Sequence, residues 1–411
     1  MFSAKKIGMT SRQGSARMVN SLTSAEQLRM ERSAPLERSA STSSATWRVG
    51  TKAFAIAALL WLASNVFVTG IATVTTWEGG ASYKRMADLC RWDCGWYASV
   101  LQPGYSKAHL DTGAANWVFC PLFPLTAYPL HTWFKLSLYG SMVLAGKLEL
   151  LLAIYGFLLM FGAELETTTD FLKAGALVAF NPYVIYAHAG YAEPLYFAAI
   201  AFAFYFVNRR QWVFAGMAGG MASATRVVGV VFAASYLVSW LRSAGRRSWW
   251  RKLELNAIMG LLLCPLGTAL FMLYLYHVIG DALALQHGHV AWGRVPGNPL
   301  GTLWVCLIQG RWSRLWGMMM IAGWLLSAWL FKLRKFELGV YLASALLLAT
   351  LSPMGGYWGV ARYVWWQPPF LYAIYRLLRR SDAAWVVYLV FASGMAAFMV
   401  MEWFSGHNFV V

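Results

Sequence analysis

Four charged residues stand apart in a chain that is otherwise strongly apolar: Asp93 in RWDCGWY, Glu193 in GYAEP, Arg226 in ATRVVG and Arg362 in ARYVWW. Ionisable side chains in or beside membrane-crossing segments are expensive, and by default they mark function. Their types point to phosphate chemistry. A guanidinium grips a phosphate through a planar fork of donors, and a carboxylate can take the proton of an attacking hydroxyl. A phosphate departs as a stabilised anion and needs little from a general acid. One base and a cationic cradle therefore suffice to move a sugar from a lipid phosphate to an alcohol. No metal is required, although a divalent cation between Asp93 and Glu193 is chemically admissible, because hard cations take carboxylate oxygens.

Each residue also has a plainer use. Asp93 can cap an interfacial helix beginning near Gly95. Glu193 precedes Pro194 and can simply favour the positive end of a helix. Arg226 and Arg362 can pair with the two carboxylates only to make their burial tolerable. Further candidates for substrate contact surround them: Arg91 beside the aspartate, Tyr363 beside the second arginine, and Trp92, Trp96 and Tyr97, which can stack on sugar faces or anchor at the membrane interface. His188 can bond a sugar hydroxyl or pack as an ordinary histidine. Lys147 and Glu149 are two residues apart, do not share a helix face, and each need a partner of their own. His287 and His289 form an H-x-H pair with no third ligand in view, a poor metal site. Cys90, Cys94, Cys120, Cys264 and Cys306 lack zinc spacing. The first three share one loop, where a single disulfide and free thiols are both consistent with the sequence.

The elements that must hold these residues are apolar runs. Of 411 residues 59% are hydrophobic and only 12% charged, about half the share usual in soluble domains. Several runs reach or approach the roughly 20 residues that cross a bilayer, as in FAIAALLWLASNVFVTGIATV (54–74). The runs fall at 53–75, 138–161, 171–189, 191–207, 212–241, 254–279, 314–332, 336–353, 363–378 and 383–403. A net charge of +17 would suit nucleic acid, but the basic residues sit in short clusters between runs. These are Arg209-Arg210, Arg242 to Lys252, Lys332 to Lys335 and Arg376 to Arg380, and such clusters mark cytoplasmic loops. Residues 1–50, with eight basic and three acidic residues, read as a mostly disordered cytoplasmic tail. No cleaved signal peptide is expected.

Run 212–241 carries basic signals at both ends and cannot be one ordinary span. It is predicted to be a re-entrant hairpin turning around Thr225-Arg226, with Gly216, Gly219 and Gly220 letting backbones approach. Such a turn is tolerated at depth where protein or a wet cavity surrounds it. Loops 76–137, 189–193, 280–313 and 354–362 and the C-terminus then share the outer face, and the four charges gather there. Arg362 is conspicuous on that face, against the usual distribution of basic residues. In loop 76–137, Pro121, Pro124 and Pro129 oppose a spanning helix and leave short interfacial helices. No internal repeat supports an inverted-repeat transporter.

RWDCGWYASVLQPGY, followed by NWVFCPLFPL (116–125), resembles the PIG-V-like mannosyltransferases, relatives of GPI mannosyltransferase 2. NPYVIYAHAGYAEPLYF (181–197), GMAGGMASATRVVG (216–229) and ARYVWWQPPF (361–370) are similar to further ordered stretches of that family, so the resemblance covers roughly residues 85–370. It implies the GT-C fold, a multi-span helical glycosyltransferase that uses a lipid-phosphate-linked sugar, with its site on the lumenal or periplasmic side. It implies Asp93 as the catalytic carboxylate and Glu193, Arg226 and Arg362 as substrate-binding. Cys94 and Cys120 depart from commoner small or aromatic residues, and GYAEP has Ala-Glu-Pro in place of a Ser-Glu pair.

The expectation is thus an all-α polytopic membrane protein with about 9–11 transmembrane helices, a disordered tail (1–50) and a catalytic domain (51–411). It would transfer a sugar, mannose by resemblance, from a polyprenyl- or dolichyl-phosphate donor to a glycan, glycolipid or protein acceptor, inverting the anomeric carbon. No cofactor and no nucleic acid are called for, and a partner subunit is compatible. A bacterial inner membrane is favoured over the endoplasmic reticulum. The rivals are a transporter or flippase for lipid-linked saccharides and a structural subunit of a glycosylation complex.

Overall fold

A computed structural model describes residues 24–77, 83–105, 115–244, 254–294, 296–351 and 359–405, with side chains from Val49 onward. The chain divides into two units, Met1–Lys52 and Ala53–Val411. In the first, the initial 23 residues of the expected tail lie outside the described residues. From Ser24 the backbone is helical, where the sequence led us to expect disorder. The Ala, Glu, Gln, Leu, Arg and Met of that stretch are strong helix formers.

The elements follow in order: α1 (Ser24–Trp77), α2 (Asp93–Leu101), α3 (Leu122–Thr132), α4 (Leu138–Met160), α5 (Thr168–Ala179), α6 (Ile185–His188), α7 (Glu193–Asn208), α8 (Trp212–Thr225) and α9 (Phe232–Ala244). Then come α10 (Leu255–Leu263), α11 (Leu266–Ile279), α12 (Ala284–Ala291), α13 (Pro299–Ile308), α14 (Arg311–Lys332), α15 (Phe336–Leu351), α16 (Val360–Trp365), α17 (Pro368–Leu378) and α18 (Asp382–Ser405). No element among the described residues is a strand. Among the described residues four helices are long and apolar enough to cross a membrane: Val49–Thr76, Leu138–Met160, Trp312–Lys332 and Asp382–Ser405. A fifth joins them if α10 and α11, bent by 47° at Cys264-Pro265, count as one span. These are compatible with a multi-pass membrane protein, but are fewer than the spans expected.

The difference lies in runs that the backbone interrupts. Run 171–189 ends as helix at Ala179, beyond which Asn181 turns the chain by accepting the Tyr183 N–H at 2.7 Å. Run 191–207 becomes α7, whose 16 residues extend about 24 Å, short of a roughly 30 Å hydrocarbon layer. Of the expected outer loop 76–137, residues 78–82 and 106–114 lie outside the described residues, as do 354–358 of a second outer loop and most of the basic stretch 242–252. What is described of 76–137 holds two 3-10 turns and the short helices α2 and α3, with Pro121 capping α3 and Pro129 inside it. Cys90 and Cys94 are joined in a disulfide, Cα atoms 5.3 Å apart, while Cys120 is free and buried.

Run 212–241 does reverse direction at the expected residue. Arg226 is extended (φ −150°, ψ 137°) between α8 and a 3-10 turn, Val227–Val231, that leads into α9. Tyr236 on α9 packs its ring 5.4 Å from that of Trp212 and donates its hydroxyl to the Trp212 carbonyl at 3.3 Å. Arg226 therefore stands at the tip of two antiparallel arms. The arms are braced by α10, where a Cβ on Gly216 would fall 2.1 Å from the Gly260 carbonyl oxygen, so no larger residue fits.

The helices also carry charge at the end away from that tip. Glu164 receives Lys335 Nζ at 2.7 Å, Arg376 Nη1 at 2.7 Å and the Tyr372 hydroxyl at 2.8 Å. α7 reaches this end, since Asn208 donates to the Met160 carbonyl at 3.2 Å. Its first residue, Glu193, lies at the other.

Candidate active site

The turn that carries the aspartate is held from both sides. Trp92 adopts φ 48° and ψ −115°, outside the helical region, and its ring meets Trp403 edge-on at 4.5 Å. Arg91 points away from Asp93, donating to the Trp403 carbonyl at 3.2 Å and lying over the Phe404 ring at 4.9 Å. Trp403 in turn donates to the Leu89 carbonyl at 3.0 Å. On the opposite side the buried Tyr191 hydroxyl accepts the Asp93 N–H at 3.2 Å and donates to the Arg91 carbonyl at 3.1 Å. Asp93 is the first residue of α2, and Trp92 is its cap. Asp93 lies in the first turn, where an acid suits the helix dipole, and its carboxylate accepts from Arg362.

Glu193 opens α7 with Pro194 in the first turn, where a carboxylate complements the helix dipole. The preceding turn passes through Gly190 at φ 78°, and a Cβ there would lie 2.8 Å from Cys94 Sγ. This contact lets the GYAEP turn seat against α2 and brings the two carboxylates to one place. The hairpin tip and α16 supply the cations. Arg226 Nη1 donates to Glu193 Oε1 at 2.5 Å. Arg362 Nη2 donates to Asp93 Oδ2 at 2.9 Å, and its Nε stands 3.6 Å from Glu193 Oε1. Arg362 thus lies between the carboxylates. Tyr186 and Tyr191 rings flank its guanidinium at 5.2 and 5.7 Å.

The network is deeply buried but unequally so. The Glu193 side chain is 2% exposed, Arg362 9%, Arg226 12% and Asp93 14%. Arg362 Nη1 and Nε and Glu193 Oε2 are buried with no hydrogen-bond partner among the described residues. Buried polar atoms are nearly always satisfied, so this concentration of orphans marks the site as one built to receive something polar. Asp93 Oδ1 is not among the orphans, and is the oxygen that Arg362 leaves free.

Tyr363 belongs to the same cluster. Arg226 lies over its ring at 4.4 Å, and Arg294 Nη2 donates to its hydroxyl at 3.0 Å. Tyr97 is buried among Phe119, Phe123 and Tyr191, with ring separations of 4.9, 5.0 and 6.4 Å. The structure does not bring Arg91 or Trp92 to the charges, and both serve to dock the RWD turn on α18. His188 is fully buried, with Nε2 at 3.1 Å from Ser64 Oγ and Nδ1 without a partner. It makes no contact with the ion network. Glu149 accepts from Thr126 at 2.6 Å. His287 Nδ1 meets Asp281 Oδ2 at 2.6 Å and His289 Nδ1 meets the Leu285 carbonyl at 2.8 Å. Among the described residues no three or more His, Cys, Asp or Glu side chains gather as a metal site would require.

Two residues at the site were not singled out from the sequence. Tyr191 carries no charge and looked like one more aromatic. Arg294, in the outer loop 280–313, breaks the charge distribution rule in the same way as Arg362, and that signal would have found it. Comparison with protein-family models finds no match, and comparison with curated proteins finds none either.

Proposed function

We propose that this chain is a membrane glycosyltransferase of the GT-C type, related to the PIG-V-like mannosyltransferases. In this reading it moves a mannosyl group from a polyprenyl phosphate to an acceptor hydroxyl outside the cytoplasm, with inversion. The observation that carries the reading is the meeting of Asp93, Glu193, Arg226 and Arg362, drawn from four distant segments, in one buried network. Two carboxylates and two forked cations are the groups the reaction needs, and the more exposed carboxylate is the one the resemblance makes catalytic.

The step runs as a single displacement. Asp93 Oδ1 takes the proton of the acceptor hydroxyl as its oxygen bonds to the anomeric carbon. The bond from that carbon to the phosphate oxygen breaks on the opposite face, and the electron pair leaves with the phosphate. Protonation of Asp93 weakens its hold on Arg362 just as negative charge grows on the departing phosphate. Arg362 is then free to stabilise that charge, and prealigned donors contribute most in such a water-poor setting. Glu193 keeps Arg226 and Arg362 oriented. The multi-span arrangement of about 9–11 crossings and a periplasmic site in a bacterial inner membrane complete the proposal. A transporter of lipid-linked saccharides would need charged groups that open to each face in turn, whereas this network lies at one end of α7 and α8.

The test is transfer from radiolabelled polyprenyl-phosphate mannose in membranes carrying the natural protein or Asp93→Asn at matched levels. Loss of transfer by 10²-fold or more, the contribution usual for a general base, is expected. Equal transfer by both would remove Asp93 from catalysis, and transfer by neither would sink the mannosyl donor.

A further inference from the structure

We infer that Arg294 and Tyr363, beside the unpartnered Nη1 of Arg362, form the subsite that takes the phosphate of an isoprenoid phosphate ester. The inference rests on the proposed reaction and names the residues that meet its donor. Three guanidinium groups converge here on two carboxylates. Arg226 is paired with Glu193, and Arg362 with Asp93 and Glu193. Among the described residues Arg294 makes no ion pair with a carboxylate, and its side chain donates to the Tyr363 hydroxyl. Of the three guanidinium groups, Arg294 is the one without a carboxylate partner among the described residues.

The geometry gives its donors a direction. Because the Tyr363 oxygen accepts from Arg294, its own hydrogen is free to donate. The Arg362 guanidinium stands 5.4 Å from the Tyr363 ring, and its Nη1 is buried without a partner among the described residues. Remaining N–H groups of Arg294, the phenol O–H and Arg362 Nη1 make a set of donors with no acceptor among them, which suits the several oxygens of a phosphate. Arg294 is also held in place. Trp292 donates to the Ala115 carbonyl at 3.0 Å and meets Trp96 edge-on at 5.1 Å. Gly293, at φ 74°, then turns the chain so that the Arg294 N–H bonds the His289 carbonyl at 2.9 Å. An arginine meant only to face lipid headgroups would need no such support.

The same donors would accept a bilayer phospholipid, so the experiment separates the two sources. The purified full-length protein is placed in phosphatidylcholine nanodiscs, and a short-chain polyprenyl phosphate without sugar is titrated while tryptophan fluorescence is read. A parallel series contains phosphatidylglycerol. Arg294→Gln should weaken binding by about 10- to 100-fold, as expected for loss of a charge-assisted bond to phosphate. Tyr363→Phe should lose less. Arg294→Lys, which keeps the charge but not the fork, should fall between and guards against misfolding of the glutamine variant. Asp93→Asn should bind as well as the natural protein or better. Unchanged affinity in Arg294→Gln would overturn the inference, as would displacement of the polyprenyl phosphate by phosphatidylglycerol at equal mole fraction. Binding that depends on Arg294 in a protein that transfers no sugar would instead sink the glycosyltransferase reading and leave this subsite standing.

Discussion

Replacing Glu193 with glutamine separates what holds the charged network together from what reacts in it. The glutamate is 2% exposed and shares one oxygen between Arg226 at 2.5 Å and Arg362 at 3.6 Å. With charge centres roughly 4 Å apart and an effective dielectric near 20, each attraction amounts to about 4 kcal/mol before desolvation is counted. Glutamine keeps the shape and one acceptor but leaves two buried cations facing the single charge of Asp93. Removal of one partner from a buried ion pair costs about 3–5 kcal/mol, a large part of a typical folding stability of about 5–15 kcal/mol. Asp93→Asn should cost far less, about 1–2 kcal/mol. Among the described residues its carboxylate is paired with Arg362 alone, at 2.9 Å, and Arg362 retains Glu193. The assay is thermal unfolding of the detergent-purified proteins by tryptophan fluorescence, followed by transfer activity on the surviving folded fraction. Glu193→Gln should melt several degrees lower, whereas Asp93→Asn should melt close to the natural protein and lack activity. Equal midpoints for Glu193→Gln and the natural protein, or an Asp93→Asn variant that is the less stable of the two, would refute this division of labour.

Other outcomes follow from the same coordinates. Tyr191→Phe removes the hydroxyl shared by the Asp93 N–H and the Arg91 carbonyl; loosening the turn should lower transfer about 10-fold, or about 1.4 kcal/mol, with folding yield preserved. Gly216→Leu would force a side chain into the Gly260 backbone, and size-exclusion profiles should show aggregation, while Gly394→Ala, with nothing within 4 Å of its Cβ, should elute as the natural protein. Burial pushes the Glu164 carboxyl up, but Lys335, Tyr372 and Arg376 outweigh it and hold it below its ordinary value of 4.5. A depressed carboxyl stabilises the fold above the unfolded value and loses that contribution as pH falls through the folded one. Melting midpoints should therefore decline as pH drops below about 4.5, and Glu164→Gln should flatten that decline.

The sequence disclosed the site's charged members because charge in an apolar chain is rare and therefore visible. The hairpin tip at Arg226 followed from basic residues at both ends of run 212–241, a constraint that needs no three-dimensional information. What stayed hidden depends on direction. Arg91 and Asp93 are two residues apart, yet the positive φ at Trp92 sends one toward α18 and the other toward α16. No pattern of residue types announces that reversal. Tyr191 was hidden for another reason: it acts through a hydroxyl on backbone groups, and a chain with 20 tyrosines gives no cause to pick one. Runs such as 171–189 are divided by local turns that hydrophobicity does not record.

The chain order of the network has a consequence for synthesis. Asp93 and Glu193 leave the ribosome before either arginine that neutralises them, and Arg362, the cation for Asp93, comes 269 residues after it. Two carboxylates must therefore wait near the membrane surface, uncompensated, until the hairpin and then α16 arrive. The early helices cannot close around these acids beforehand without burying bare charge. Final assembly is thus tied to completion of the chain, and a product truncated before α16 would lack the arginine that neutralises Asp93.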